Sequence, residues 1–419
     1  MMPASSDRPS AAADLVVVGA SARWWSASAV RAGWRVHAVD LFADRDLVAI
    51  AATAIRLADY PRGMPAAVAP LPIAPLTYTG ALENHPAILA ALARDRPLAG
   101  VAADVVGRVR DPLPLRRLAR MAGMPFPDTR SSPRGVPRDG SYLLKPRASA
   151  GGHGITPWTD TTPHPPAGRS VWQRRIAGAS YSATFLVDDD GAELVGVATQ
   201  VLGSLRRGSG RFAWRGGIAL RRSYLPRAVT AALARLGRAL TAVAGLRGLV
   251  GVDFVVNAGG VPVLIEINPR PTASAELHER RSDEALAARH LACFGWRRPA
   301  AGGGPAARPG CWAKGLVRHH RSCDAGSALH AALDAVAARW TAADGGWPAL
   351  GDVPAPGTTV PPHAPLLTVF AHGRTAREAG RALALRSAAI DAVLDRACTA
   401  VRRRASSASR PARRPSRTA

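Results

Sequence analysis

Two lysines stand among the 55 basic residues of this 419-residue chain, and one of them, Lys145, opens the segment Lys145-Pro-Arg-Ala-Ser-Ala-Gly-Gly-His-Gly-Ile155. Wherever a generic positive charge would serve, the chain carries arginine. A lysine beside glycines suits a different task. Its ammonium is a compact point charge that fits between phosphate oxygens, where a guanidinium presents a wide planar fork. Gly151, Gly152 and Gly154, with His153 among them, let backbone N–H groups approach an anion unobstructed. The chemistry on offer is the binding of a nucleoside triphosphate. A surface lysine before an ordinary loop is the plainer reading, and the lysine alone does not decide between them.

The second group of residues is acidic. Val250–Ala258 and Val261–Asn268 flank Gly259-Gly260, read as a two-residue turn that tolerates positive φ. With Ala258 opposite Val261, the pairs Val256–Val263, Phe254–Ile265 and Val252–Ile267 make one apolar face. On the other face Asp253 lies opposite Glu266, with Asn268 two residues along and Gly251 across from it. A one-residue slip would ruin this separation, so the register is well specified. Two opposed carboxylates with Cβ atoms ~5 Å apart repel unless something positive lies between them. Mg²⁺ is the natural occupant, since it prefers oxygen and commonly takes one or two carboxylates plus substrate phosphates. Asn268 can add a carbonyl oxygen. Pro269 ends the strand, and Arg270 can then reach an anionic intermediate. A solvent-facing sheet with chance acidic pairing would leave the opposed charges and Asn268 unexplained.

Other elements must hold these residues. Leu15–Arg23 reads as a buried strand, a tight turn and a helix start, with the helix running to about Ala32 and Gly33 ending it. Arg35–Asp40 is a second strand, giving a βαβ unit. The Gly-x-Gly-x-x-Gly fingerprint is absent, so the unit reads as scaffold rather than an NAD site. Tyr78–Pro86 leads into a helix, with Asn84 as N-cap; Glu83 and His85 then sit on a loop facing the cleft, unless local capping is their whole role. Arg108–Ala122 reads as one basic helix, and Gly123–Pro127 breaks the chain before the next domain. Strand, glycine loop and the strand Val171–Ile176 follow. Tyr181–Val187 and Ala192–Gln200 form a hairpin around Asp188–Gly191. Arg206–Arg211 reads as a mobile basic loop, and Pro226–Ala244 as a helix.

Composition bounds the setting. Hydrophobic content of 47% is ample for folded domains, and no apolar run reaches the ~20 residues of a membrane span. Met1–Ala13 lacks the pattern of a signal peptide. Cys293, Cys311, Cys323 and Cys398 include no Cys-x-x-Cys pair and suggest no disulfide framework. Cys311, His319, His320 and Cys323 match no standard zinc spacing. A reducing cytoplasm is the expected home. Part of the net charge of +25 sits in the tail Val401–Ala419, whose seven arginines among Ser, Ala and Pro read as a solvated, disordered extension. No aromatics interleave with basic residues, which excludes a specific nucleic-acid module.

The combined pattern resembles the ATP-grasp superfamily, and more closely its biotin-carboxylase-like branch. The matching pieces are Lys145-Pro-Arg with Gly151-Gly-His-Gly-Ile155, Val171-Trp-Gln-Arg-Arg-Ile176, Gly251-Val-Asp-Phe254 and Glu266-Ile-Asn-Pro-Arg270. The resemblance covers roughly Leu15 to His290, and Leu350–Thr358 with Pro365–Gly373 look like a shortened carboxylase-type C-terminal domain. It implies a mixed α/β and α+β fold: disordered 1–13, a Rossmann-like pre-ATP-grasp domain over 14–105, and an ATP-grasp domain over 106–300 with its lid at about 140–200. A carboxylase-like domain over 301–400 and the disordered tail 401–419 complete it.

The resemblance also implies roles. Lys145 would hold phosphates, Gly151 to Gly154 would fold over the triphosphate, and Gln173, Arg174 and Ile176 would line the adenine slot. A glutamate is usual at the Gln173 position, so this chain departs there. Asp253, Glu266 and Asn268 would bind Mg²⁺, with Mn²⁺ able to substitute, and Arg270 would stabilise an acyl-phosphate. Ser274 falls where carboxylases carry a catalytic glutamate, which argues against bicarbonate chemistry, and no biotin-carrier motif occurs. Substrate contacts are expected from Glu83, His85, Arg215, Ser274, Glu276 and His278. The expected activity is ADP-forming ligation of a small-molecule carboxylate to an amine, in cofactor biosynthesis by resemblance, with ATP and Mg²⁺ and without nucleic acid or membrane. A homodimer is one open form. A bicarbonate-using carboligase and a catalytically silent nucleotide- or polyanion-binding protein are the alternatives.

Overall fold

Leu15–Val18 is apolar at every position and wholly buried, as a strand covered on both faces must be. It belongs to β1 (Asp14–Val18) of a parallel sheet with β2 (Arg35–Asp40), β3 (Thr53–Arg56) and β4 (Leu76–Tyr78), in the order β3-β2-β1-β4. The computed structural model describes residues 13–203, 210–299, 302 and 304–408, with side chains up to 397. Helix Arg23–Arg31 follows β1. Asp40, at the end of β2, is fully buried and accepts from the backbone N–H groups of Ala22, Phe42 and Ala43. Its carboxylate is spent on holding the loop, in keeping with a scaffold.

A small antiparallel sheet carries Lys145. It comprises β5 (Thr129–Arg130), β6 (Asp139–Pro146), β7 (Thr156–Thr159) and β8 (Ser170–Arg174), ordered β5-β8-β6-β7. Strand periodicity does the positioning. Tyr142 and Leu144 of β6 pack inward with Trp158 and Trp172, so Leu143 and Lys145 face the opposite way, into a cavity.

The carboxylates sit on an eight-stranded antiparallel sheet, ordered β13-β12-β9-β10-β11-β14-β18-β16. Its strands are β9 (Gly178–Val187), β10 (Ala192–Leu202), β11 (Trp214–Leu220), β12 (Gly248–Asn257), β13 (Pro262–Asn268), β14 (Cys311–Arg318), β16 (Leu350–Gly351) and β18 (Pro365–Gly373). A two-stranded ribbon pairs β15 (Cys323–Asp324) with β17 (Thr359–Val360). Helix Arg227–Thr241 covers one face of this sheet, burying Val229, Leu233, Leu236 and Leu240 at helical spacing. The C-terminal strands continue the sheet, because β11 pairs with β14 and Gly216 lies so close that a Cβ would stand 2.1 Å from the Lys314 carbonyl oxygen.

Several local expectations need correction. Arg108–Ala122 is two helices, Ala103–Arg110 and Pro112–Met121, with Asp111 between them extended at ψ 133°. Proline disfavours the helical region for the residue before it, and Asp111 instead caps the second helix through Leu113 N–H. Asn84 belongs to a 3₁₀ turn, Leu82–Asn84, and does not cap the helix Pro86–Leu92, whose preceding residue is His85. Helix Ala376–Ala408 runs into the segment expected to be a disordered tail. Residues 204–209, most of the expected basic loop, lie outside the described residues, as do 1–12 and 409–419. Among the described residues no helix is long and apolar enough to cross a membrane.

Candidate active site

Lys145 Nζ donates to Gln173 Oε1 at 2.9 Å, and Gln173 is itself anchored by donating to Thr129 Oγ1 at 3.2 Å. A glutamate at 173 would neutralise that ammonium. The amide oxygen holds it in place and leaves its charge unspent. The glycine loop follows directly. Gly151, Gly152 and Gly154 take φ of 59°, 75° and 72°, a region L side chains avoid. At Gly152 a Cβ would stand 2.0 Å from the Phe212 carbonyl oxygen, and Trp214 N–H donates to the Gly151 carbonyl at 2.9 Å. Glycine thus lets the loop lie flat on the start of β11. Gly151 and Gly152 line the cavity, whereas the expected contacts His153 and Gly154 are exposed and do not.

The hairpin register holds where it matters. Gly251 pairs with Asn268, Val252 with Ile267 and Asp253 with Glu266. Nearer the turn it slips. Asn257 Oδ1 accepts from Val261 N–H at 3.0 Å, Gly260 takes φ 74°, and the loop has three residues, 258–260. A bulge absorbs the offset, so Phe254 faces Leu264 instead of the expected Ile265. The extra residue turns Ile265 and Glu266 toward the same cavity. An isoleucine assigned to the apolar face therefore walls the site.

Asn268 Nδ2 donates to Asp253 Oδ2 at 3.1 Å and to Glu266 Oε1 at 3.3 Å, while Gln200 Nε2 donates to Asp253 Oδ1 at 2.7 Å. The Asn268 amide thus bridges two like charges, and Gln200 adds a second donor to Asp253. Burial pushes the Asp253 carboxyl up to about 7, and the neighbouring Glu266 adds to this. For Glu266 burial acts the same way, but Lys145 and Arg110 outweigh it and hold that carboxyl below its usual range. One member of the pair stays charged and the other resists ionisation. A divalent cation resolves this conflict, and rotation of the Asn268 amide would then present its oxygen. The donor set fits a hard cation.

Arg270 is held from beneath. Glu83, expected at the cleft as a substrate contact, is fully buried; its Oε1 accepts from Arg270 Nη2 at 2.6 Å and lies 3.3 Å from Arg110 Nη1. Tyr78 donates to the Pro269 carbonyl at 3.1 Å, and a Cβ on Gly80 would stand 2.8 Å from Arg270 Cζ. Glu83 therefore orients the arginine. Arg110 was not singled out from the sequence: it ends a helix 35 positions before Lys145, and no local pattern marks it.

The cavity encloses about 670 Å³. Its wall includes Leu143, Lys145, Gln173 and Arg174 from the small sheet with Ile176 and Ile265, and a second group, Ser21, Gly80, Arg270 and Ser274, in which Gly80 lies against Arg270. Asp253, Glu266 and Asn268 lie on its wall too. A side chamber of about 300 Å³ shares Lys145, Gly151, Gly152 and Glu266 and adds Arg110.

Of the other expected substrate contacts, only Ser274 reaches the cavity. Glu276 is 7% exposed and bound by Arg23 and Lys314. His278 packs on Gly196, and burial, helped by Arg281, lowers its pKa to about 3, so it stays neutral. Arg215 acts electrostatically on Arg318, and His85 stacks edge-on against Tyr60; neither lines the cavity. Cys311 opens β14, while His319, His320 and Cys323 follow its far end, so the four do not converge.

A family profile described as an ATP-grasp domain matches residues 113–274, the stretch holding Lys145, the glycine loop and the carboxylate hairpin. That stretch of the chain is similar to an ATP-grasp domain. Solved structures extend the likeness beyond it. Carboxyaminoimidazole ribonucleotide synthase from Aspergillus clavatus, complexed with ATP, is 14% identical with a TM-score of 0.64, covering 91% of this chain and 99% of that one. N5-carboxyaminoimidazole ribonucleotide synthetase from Thermus thermophilus gives 14% and 0.61, covering 91% and 98%. Biotin carboxylase from Campylobacter jejuni, as a β-γ-ATP complex, gives 12% and 0.60, covering 86% and 87%. The chain thus shares its fold with these structures, from the parallel sheet to the C-terminal strands. No curated protein sequence matches the chain.

Proposed function

We propose that this chain is an ADP-forming ligase that uses ATP and Mg²⁺ to join a small carboxylate to an amine or similar nucleophile. A carboxylate oxygen attacks the γ-phosphorus, the β–γ bond breaks, and ADP leaves with an acyl-phosphate formed. The nucleophile then attacks the acyl carbon, phosphate departs and the amine loses a proton. The observation that carries this reading is the opposed pair Asp253 and Glu266, facing one cavity with Lys145. Held by Asp253, Glu266 and Asn268, Mg²⁺ would offset negative charge on the transferring phosphoryl group. Lys145 takes phosphate oxygens, and Ile176 with Ile265 offers an apolar slot for a base. Arg270, fixed by Glu83, faces the negative charge that grows at the acyl centre. Gly151 and Gly152 close over the phosphates and exclude water.

A phosphate-release screen of carboxylates and amines with Mg-ATP tests the reading. Release that needs both substrates supports it; a wild-type protein that does not bind Mg-ATP overturns it. A second reading, a bicarbonate-using carboligase, is favoured by the names of similar structures: a biotin carboxylase, and synthases of a carboxyamino product. Incorporation of labelled bicarbonate separates the two.

A further inference from the structure

Lys314 is the second of the chain's two lysines. It lies on β14, is 3% exposed and stands outside the cavity lining. Its ammonium donates to Glu276 Oε2 at 2.6 Å and to the Ala273 carbonyl at 3.1 Å. Ala273 is itself part of the cavity wall, between Thr272 and Ser274. The same Glu276 carboxylate accepts from Arg23 Nη1 at 2.5 Å and Nη2 at 3.2 Å. Arg23 opens the helix whose approach brings Ser21 and Trp24 to the wall of the cavity. Asp352, which follows β16, accepts from Arg23 Nε at 3.0 Å, and Asp46 lies 3.4 Å from the same nitrogen.

One carboxylate therefore receives charge from the parallel-sheet region and from the C-terminal strands, and its own short helix follows Ser274. Burial would raise the Glu276 carboxyl, yet Arg23, Lys314 and Arg280 hold it far below the usual range. Both Glu276 oxygens are paired, and the residue lies outside the cavity lining. It joins the segments that carry two stretches of the cavity lining, Ser21 with Trp24 and Arg270 to Ser274.

We infer that Lys314, acting through Glu276 and the Ala273 carbonyl, is a positioning residue that fixes both stretches of the cavity lining, where the nucleophile would bind. The inference rests on the ligase reading for what the stretches hold, but not for the geometry. Removing the ammonium leaves Ala273 without its donor and Glu276 with one cation fewer, so the two stretches loosen while the nucleotide side, held by β6 and β8, does not.

The test uses the full chain and compares wild type with Lys314→Met and Lys314→Arg. Hydrogen exchange is followed over residues 19–25, 269–276 and 149–155, with Mg-ADP affinity measured by calorimetry. In Lys314→Met, exchange over 19–25 and 269–276 should accelerate about tenfold while 149–155 is unchanged. Mg-ADP affinity should stay within about twofold, as expected for separate sites. Lys314→Arg keeps the charge and should return both segments close to wild-type exchange; a brace working by packing alone would not be rescued. Should Lys314→Met not fold, Lys314→Gln, which keeps a donor and drops the charge, takes its place with the same expectation. Unchanged exchange over 269–276, acceleration spread equally over 149–155, or failure of arginine to rescue overturns the inference. A wild type that does not bind Mg-ADP counts against the ligase reading and leaves the exchange result standing.

Discussion

Two buried carboxylate centres in this protein face opposite fates, and each has one of the two lysines. Around Glu276 the charges are settled: Arg23 and Lys314 contact it directly, and its carboxyl sits far below the normal range. Around Asp253 and Glu266 they are not: two acids share the Asn268 amide, Lys145 donates to Gln173 and to neither of them, and one carboxyl is pushed up to about 7. A satisfied centre is architecture. An unsatisfied one, walled by a cavity and glycines, has the character of a ligand site, as proposed above. The contrast also separates the lysines: Lys145 rests on a neutral amide, whereas Lys314 rests on a carboxylate.

Exchanging one acid at each centre should give opposite results. Glu266→Gln should cut substrate-dependent ADP release by about a thousandfold, by removing a cation ligand. Asp253→Asn, which removes the carboxyl pushed up to about 7, should leave the ligand-free fold as stable or up to about 1 kcal/mol more stable. A lower melting temperature would contradict the claim that this pair is strained. Glu276→Gln should do the reverse. It strands Arg23 and Lys314 and should cost about 3–5 kcal/mol in denaturant unfolding, with Mg-ADP binding retained. Because the folded carboxyl is depressed, its stabilisation is present above the unfolded value of about 4.3 and is lost as pH falls further. Wild type and variant should therefore converge in acid.

Smaller effects sharpen the picture on the nucleotide side. Gly152→Ala places a Cβ against the Phe212 carbonyl at φ 75°, and should weaken Mg-ATP binding about tenfold with little change in melting temperature. Gln173→Glu sets a carboxylate against Lys145 and should lower Mg-ATP affinity by about threefold, read by calorimetry. An affinity that rises would mean the ammonium is aimed elsewhere.

Much of the unsettled centre was legible in the sequence, because strand alternation fixes which side chains share a face. Asp253, Glu266 and Asn268 are placed by the period of two alone. The bulge escaped that reasoning: an isoleucine is at home in a core or on a cavity wall, so nothing in its identity marks Ile265 as extra. The settled centre was misread for a different reason. Arg23 is 253 positions from Glu276 and Lys314 is 38, and no local pattern announces such a partnership. Glu276 therefore looked available to a substrate. Glu83, 187 positions from Arg270, misled in the same way. The broken helix at Asp111 is another case: the proline at 112 was in plain view, and its effect on the preceding residue was enough to predict the interruption.

The most direct test of the central claim is the magnesium dependence of ATP binding to the full chain, measured by calorimetry for wild type and Glu266→Gln. Wild type should bind ATP at least about tenfold tighter with Mg²⁺ than without, and Glu266→Gln should lose that difference while keeping the magnesium-free affinity. Equal affinity with and without magnesium in wild type, or an unaltered magnesium effect in the variant, would contradict the account.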